Sequence, residues 1–336
     1  MFNKLYEYLK TVIKENFIYI TFLFVLIATS LYELPYIIYN GGGLINVENR
    51  ISIENSNKSK GSFNMAYVSE AKATPLTYII AKIMPNWELI RIEEVTLNKN
   101  ETSKDIDLRS RLFLNEANAN AIRIAYETAN KEFRIVEENL KIIFVAEEAE
   151  TTLRIGDTIL EVNNYKVTTS KELNERLKIY NLGDIINFKI IRNNKETTAT
   201  GKLKNIDNKT MIGIAFSANI SFETDPKINL RFKRSEGGPS GGLILSLAIY
   251  DRLTEESLTN NQKIAGTGTI DNEGNIGEVG GIKYKLRGAV KRKADIFLVP
   301  LGENYQEALR LKNKHNYNIQ IIGVSTFNEA LERLSE

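Results

Sequence analysis

The chain has 336 residues, with 44 lysines and arginines against 42 aspartates and glutamates, one histidine and no cysteine. A net charge of +2 supplies no basic surplus for nucleic acid, and the lack of Cys removes disulfides, thiol nucleophiles and Cys-based zinc sites. One His cannot build a multi-His metal centre, and His315, set among Lys312, Lys314 and asparagines, is a poor catalytic base. Acid–base chemistry is left to carboxylates, Lys, Tyr or a metal held by oxygens. At 43% hydrophobic and 26% charged, the composition is that of a globular chain long enough for two or three domains.

Residues Phe17 to Tyr32 (FIYITFLFVLIATSLY) form an uncharged apolar run, extended by Leu34 to Tyr39. Together they approach the roughly 20 residues a helix needs to cross a bilayer. Lys4, Lys10 and Lys14 precede the run, which favours a cytoplasmic N-terminus. A retained signal anchor is the reading preferred. A cleaved signal peptide is the rival, although Ala28-Thr29-Ser30 lacks an A-x-A pattern. A buried core helix is the third reading, disfavoured because nothing in the run is amphipathic.

Asn40-Gly41-Gly42-Gly43 breaks the chain after this segment, and residues 44 to 70 alternate like strands around a polar connection from Asn55 to Gly61. Thr74-Pro75 opens a helix with Leu76, Ile79, Ile80 and Ile83 on one face, ending before Pro85. A second helix, capped by Asp107 or Ser110, carries Leu112, Leu114, Ala117, Ala121, Ile124 and Ala125 at helical spacing.

From Leu140 the texture changes. Lys141 to Val145 reads as a strand; Ile155 to Asn164 as a turn, a strand and an Asn-Asn turn. Ser170 caps a short helix bearing Leu173 and Leu177, and Gly183-Asp184 leads into the strand Ile185 to Ile191. This order resembles a PDZ domain, although the Gly-rich loop that receives a peptide carboxylate in many such domains has no clear counterpart between Phe144 and Thr152. A generic small β-rich module is the alternative.

Chemistry concentrates beyond residue 228. The strand Ile228 to Phe232 is followed by Glu236-Gly237-Gly238-Pro239-Ser240-Gly241-Gly242 and the helical run Leu243, Ile244, Leu247, Ala248. A Ser among glycines at a strand-to-helix step lets a substrate backbone approach closely and sets helix-start N–H groups toward an oxyanion. The segment also fits the bare G-x-S-x-G of an α/β-hydrolase elbow, which would need His315. No G-x-x-x-x-G-K-[ST] occurs, so the chain has no P-loop of its own. Ile264 to Asp271 is then a strand into a turn, and Gly280-Gly281-Ile282-Lys283-Tyr284-Lys285 opens a helix. Without a convincing His or any Cys, the remaining common partner for a Ser nucleophile is a Lys kept neutral by burial, either Lys283 or Lys285.

The ordered motifs GGPSGG, AGTGTID and GGIKYK resemble the proteolytic domain of the Lon family, which are Ser–Lys dyad peptidases. The anchor and the PDZ-like segment narrow the resemblance to membrane-anchored, PDZ-containing Lon-like proteases of Gram-positive bacteria. LPYIIYNGG, GSFNMAYVS and ATPLTYIIAKIMP also look like that group. The resemblance implies Ser240 as nucleophile and Lys285, the last residue of the G-G-φ-x-x-K motif, as its base, with Lys283 the competing assignment. It implies Thr267 as the residue that orients the Lys, and Gly237, Gly238 and Pro239 as supports of an oxyanion site. Two departures stand out: many Lon enzymes have an acid where this chain has Gly237, and an Ala where it has Gly241, which should loosen the start of the helix.

The expected fold class is α+β: a Lon-type proteolytic domain with an inserted PDZ-like domain, preceded by one N-terminal transmembrane helix. The boundaries are 1–15 cytoplasmic, 16–39 transmembrane, 40–134 the first part of the protease domain, 135–205 the PDZ-like domain, and 206–336 the part with the dyad. The implied function is ATP-independent endopeptidase activity at the cell membrane. The catalytic domain would lie outside and act on peptides, such as signalling peptides, or on exposed protein segments. The alternative is an inactive membrane-anchored scaffold that binds peptides through its PDZ-like domain. No metal, cofactor, ATP or nucleic acid is expected; the partners are peptide or protein substrates and the membrane, with room for a homo-oligomer.

Overall fold

The computed structural model describes residues 2–56, 59–98, 101–206, 208–233, 235–254 and 257–335. Two compact units make up the chain, residues 1–41 with 69–95, and residues 42–68 with 96–336. In the expected Asn55–Gly61 connection, residues 57 and 58 lie outside the described residues.

The first unit begins with helices α1 (Phe2–Glu15) and α2 (Phe17–Leu31). They meet at Asn16 with a bend of 79°. None of the α2 side chains is buried, and the hydroxyls of Thr29 and Ser30 donate back to carbonyls of Val25 and Leu26 within the helix. The single helix expected across 16–39 is corrected. α2 stops at Leu31, and Tyr36–Tyr39 instead starts strand β1 (Tyr36–Asn46). No single helix among the described residues is long and apolar enough to cross a membrane, although the bent α1–α2 pair passes by length and composition.

Both units share the next segments. The boundary falls inside β1 and again inside β3 (Ser62–Lys72), which follows β2 (Ile51–Ile53). Thr74 and Thr77 form a capping box that starts α3 (Pro75–Ile83), with Pro75 in the first turn where its missing N–H costs nothing. β4 (Glu88–Arg91) then pairs antiparallel with Tyr36–Tyr39. Ile38, Ala73 and Ala81 form the small core here, ringed by Tyr36, Tyr78, Trp87 and Leu89.

The second unit continues with α4 (Ser103–Thr128). Its start lies ahead of the expected Asp107 or Ser110, because Thr102 and Asp105 cap each other reciprocally. The first turns of α4 are polar, so apolar periodicity alone sees the helix only from Leu112.

β5 (Glu132–Val145) leads into a module of β6 (Thr158–Val162), β7 (Tyr165–Lys166), α5 (Ser170–Leu177), β8 (Ile185–Arg192), β9 (Lys195–Lys202), β10 (Lys204–Ile206) and β11 (Lys209–Met211). Asn163-Asn164 and Asn193-Asn194 make its tight turns with all four residues at positive φ, which Asn tolerates better than other side-chain-bearing residues. Thr169, one residue before the expected Ser170, is the cap of α5. Leu140, Ile159, Leu173, Ile186, Phe188 and Ile190 form the closed core of the module. Buried Asp157 accepts from Arg192 Nε at 2.7 Å and from the Arg154 N–H at 2.7 Å.

The chain returns along β12 (Ile214–Asp225), antiparallel to β5 from Ile214 opposite Val145 to Asp225 opposite Glu132. Exit and return therefore run side by side. β13 (Ile228–Leu230), paired with β2, leads to α6 (Gly242–Leu253), β14 (Lys263–Gly266) and the β15–β16 pair (Thr269–Ile270, Ile276–Gly277). Then come α7 (Ile282–Lys291), β17 (Ile296–Pro300), α8 (Glu303–His315), β18 (Gln320–Val324) and α9 (Phe327–Ser335). β14 is parallel to both β3 and β17, and β17 to β18, with helices between successive strands. The fold is thus mixed: parallel βα alternation here, antiparallel strands in the 132–225 segment. One core joins Val47, Phe63, Ile122 and Tyr126 to Leu243, Leu247, Ile264, Leu298 and Phe327, so residues on both sides of that segment build it together.

Phe188 is only 1% exposed at the centre of the module core. Phe188→Ala is expected to destabilise the module by about 3–5 kcal/mol, read from the denaturation midpoint; a loss under about 1 kcal/mol would contradict this packing.

Candidate active site

The segment holding Ser240 is clamped from several sides. Glu236 pairs with Arg50, Nε at 3.1 Å, and accepts the Lys233 N–H at 2.8 Å. The Gly238 N–H donates to the Ser110 carbonyl of α4 at 2.9 Å, with Gly237 beside the same serine. Gly238 has φ +83, a left-handed angle that a side chain would strain. The Pro239 carbonyl accepts the Gly242 N–H at 3.2 Å as the chain turns into α6 behind its N-cap, Gly241. Ser240 therefore sits at a loop-to-helix step, where the first-turn N–H groups and the helix dipole favour negative charge.

Gly241 departs from the Ala that the resemblance suggested. A Cβ built at this position would lie 2.5 Å from Met65 Sδ. The buried Met65 sulfur occupies the space of that methyl, so the looseness expected of Gly241 is filled by packing.

Two backbone bonds lock the Ser240 turn to the strand-to-turn step after β14: the Gly268 N–H to the Ser240 carbonyl at 2.9 Å, and the Leu243 N–H to the Gly268 carbonyl at 3.1 Å. Thr267 is fully buried, its N–H on the Leu298 carbonyl of β17 at 3.0 Å. Its Oγ1 donates to the Ser240 carbonyl at 3.0 Å and accepts from Lys285 Nζ at 3.1 Å. The direction is forced, because a carbonyl can only accept; the hydroxyl proton goes to Ser240 and the oxygen's lone pairs face the Lys. Lys285, only 4% exposed, reaches Thr267 from the first turn of α7, which starts at the left-handed Gly281.

The two candidate lysines separate sharply. Lys283 is exposed, its Nζ 4.9 Å from the centre of the Tyr284 ring, while Lys285 points into the protein. His315 lies exposed at the end of α8, stacked on Tyr317 at 5.2 Å, an unsuitable place for the base of a hydrolase elbow. Among the described residues no group of three or more His, Asp or Glu could hold a metal. Behind Gly268, burial pushes the Asp271 carboxyl up, but hydrogen bonds from Asn275 and from the N–H groups of Glu273 and Gly274 outweigh it and hold it below the usual carboxylate range. The sequence does not mark Arg50, Met65 or Glu236 as site residues, and it marks Ser110 only as a candidate helix cap. Only Glu236, a charge directly before a glycine run, carried a local signal.

Residues 129–203 match the family model of the PDZ domain, and residues 183–335 that of the Lon protease (S16) C-terminal proteolytic domain. The second match contains Ser240, Thr267 and Lys285. The chain is a PDZ-containing relative of the Lon proteases. Lon protease of Campylobacter jejuni is 34% identical over 28% of this chain and 12% of its own length. That of Mesomycoplasma hyopneumoniae is 30% identical over 39% of this chain and 16% of its own. The Lon-like chain thus spans less than a fifth of either relative. A crystal structure of the PDZ domain of an SdrC-like protein from Listeria innocua is 24% identical, covering 23% of this chain and 92% of that one, with a TM-score of 0.22.

In this Lon-like chain, Thr267→Val removes the acceptor of Lys285 and the donor to Ser240. Losing one such buried bond costs about 1–3 kcal/mol, which, if lost in full from the transition state, corresponds to a fall of roughly 5- to 150-fold in kcat/KM. Thr267→Ser, which keeps the hydroxyl, is expected to retain most of the activity in a peptide-cleavage assay.

Proposed function

We propose that the chain is an ATP-independent serine endopeptidase with a Ser240–Lys285 dyad, held at the cell membrane by its N-terminal helices and acting on extracellular peptides or exposed segments of proteins. The observation that carries the catalytic part is the buried link from Lys285 Nζ through Thr267 Oγ1 to the Ser240 carbonyl. It supplies an oriented amine beside a serine at a helix start. Lys285 in its neutral form, which removal from water favours in any amine, takes the proton from Ser240 Oγ as that oxygen attacks the peptide carbonyl. Backbone N–H groups at the loop-to-helix step hold the oxyanion. The protonated amine then gives its proton to the leaving amine, and water activated by the same Lys hydrolyses the acyl-enzyme. No P-loop motif occurs within these 336 residues, which supports cleavage by this stretch of chain without ATP.

Membrane attachment is supported by α2, which is uncharged, has no buried side chain and turns the hydroxyls of Thr29 and Ser30 back onto its own carbonyls. At about 1.5 Å per residue α2 alone falls short of the roughly 30 Å hydrocarbon core. Part of α1 would have to straighten into line with it.

Ser240→Ala and Lys285→Ala are expected to reduce cleavage of an unstructured protein such as casein to background, while Lys283→Ala cleaves normally. The wild-type rate should fall as pH drops, because protonation removes the base; a rate unchanged on acidification would rule out an amine in that role. For the membrane, a charge at the centre of a spanning helix costs about 2.5–3.5 kcal/mol by insertion scales. Val25→Arg should therefore release the chain from vesicles in a flotation assay, and equal flotation of both proteins would count against α2 as the anchor.

A further inference from the structure

α3 is built the wrong way round for an ordinary surface helix. Its inward side carries Tyr78 and the small Ala81, the latter 4% exposed in the unit's core. Three of its four large aliphatic residues face out, Ile79 at 58% exposed, Ile83 at 76% and Leu76 at 42%, as does the C-cap Met84, while Ile80 is half-buried. Leu76, Ile79 and Ile83 follow i, i+3, i+7 spacing and so share one face. The sequence pattern alone suggests that this face packs inside; the structure turns it outward.

The place of α3 in its unit indicates what covers this face. The Ala73 N–H donates to the Tyr36 carbonyl at 2.9 Å, and the Ala73 carbonyl accepts the Leu34 N–H at 2.7 Å. Thr74, the cap of α3, comes directly after Ala73, while Leu34 lies just past the last residue of α2. α3 is therefore tethered at the foot of the bare apolar helix. The charged groups around it sit at the edge: Lys72 pairs with Glu33 at 2.9 Å, and Lys82 Nζ lies 4.7 Å from the centre of the Tyr78 ring.

We infer that α3 lies in the surface of the same phospholipid bilayer that receives α2, with Leu76, Ile79, Ile83 and Met84 at the acyl boundary and Lys82 at headgroup level. The outward stripe is purely aliphatic and thioether, with a basic residue on its flank. That composition suits a lipid interface. The aromatic and hydrogen-bonding anchors that dominate protein–protein patches are missing from the stripe. The inference rests on the membrane reading of α2 and adds a second, in-plane attachment.

The sequence has no cysteine and one tryptophan, Trp87, just past α3. Full-length Ile83→Cys, labelled with a polarity-sensitive fluorophore, is reconstituted into phosphatidylcholine–phosphatidylglycerol vesicles, with Asn194→Cys in the β8–β9 turn as the water-exposed control. The expected result is a blue shift at position 83 and none at 194, together with quenching of Trp87 when the lipids are brominated near the top of their chains. Protein that floats with the vesicles but shows neither signal overturns the inference and leaves the anchor standing. Protein that does not float overturns both. A shift at position 83 that grows with protein concentration and needs no lipid assigns the face to a second copy of the chain, and also overturns the inference.

Discussion

Lys285 ends inside the protein on the hydroxyl of Thr267, and that hydroxyl spends its single proton on the carbonyl of Ser240. A buried amine needs a partner on both electrostatic and hydrogen-bonding grounds. Here the partner is shared with the residue proposed to lose a proton to it. The chain of bonds joins the first turn of α7, the turn after β14 and the step into α6. These segments are distant in sequence, and moving any one of them would strand the other two. Ser240 is held by its backbone rather than its side chain, which leaves Oγ outside this bonding pattern.

Everything around the link serves to keep those segments in register. β14 lies between β3 and β17, so the Thr267 backbone reaches Leu298 at the end of a parallel ladder. α4 presents the Ser110 carbonyl to Gly238, and Arg50 holds Glu236. Both come from the part of the chain before the PDZ domain, while Ser240 and Lys285 come after it. The β5–β12 ladder makes this arrangement compatible with a whole domain in between. Its two strands enter and leave side by side, so the insertion adds residues without separating the halves of the core.

Much of this was legible in the residues themselves. The Asn-Asn turn at 163–164, the Thr74-Pro75 helix start and the glycine punctuation around Ser240 are local chemistry, and local chemistry is read directly from sequence. The misses share a cause. The apolar repeat starts late in α4 because its first turns are mostly polar and its capping box, Thr102 with Asp105, lies ahead of that repeat. The apolar segment through Tyr39 reads as one helix because composition cannot tell a helix from a strand that follows it. β1 begins at Tyr36 because β4 is there to pair with it. Likewise the face of α3 was identified, but its direction depends on neighbours that no periodicity encodes.

The single, poorly placed histidine and the absent cysteine leave Lys as the common partner for a Ser nucleophile, and three glycine-rich motifs in order resemble a Lon-type domain. The first follows from residue chemistry alone, and the second from the resemblance those motifs carry in their order along the chain. Only the folded chain decided which lysine turns inward, since Lys283 and Lys285 are two residues apart on one helix and differ only in what packs against them. Only the fold, too, brought Arg50, Met65 and Ser110 to the Ser240 turn. Burial and long-range contact belong to the packed state, where separation in sequence no longer measures distance.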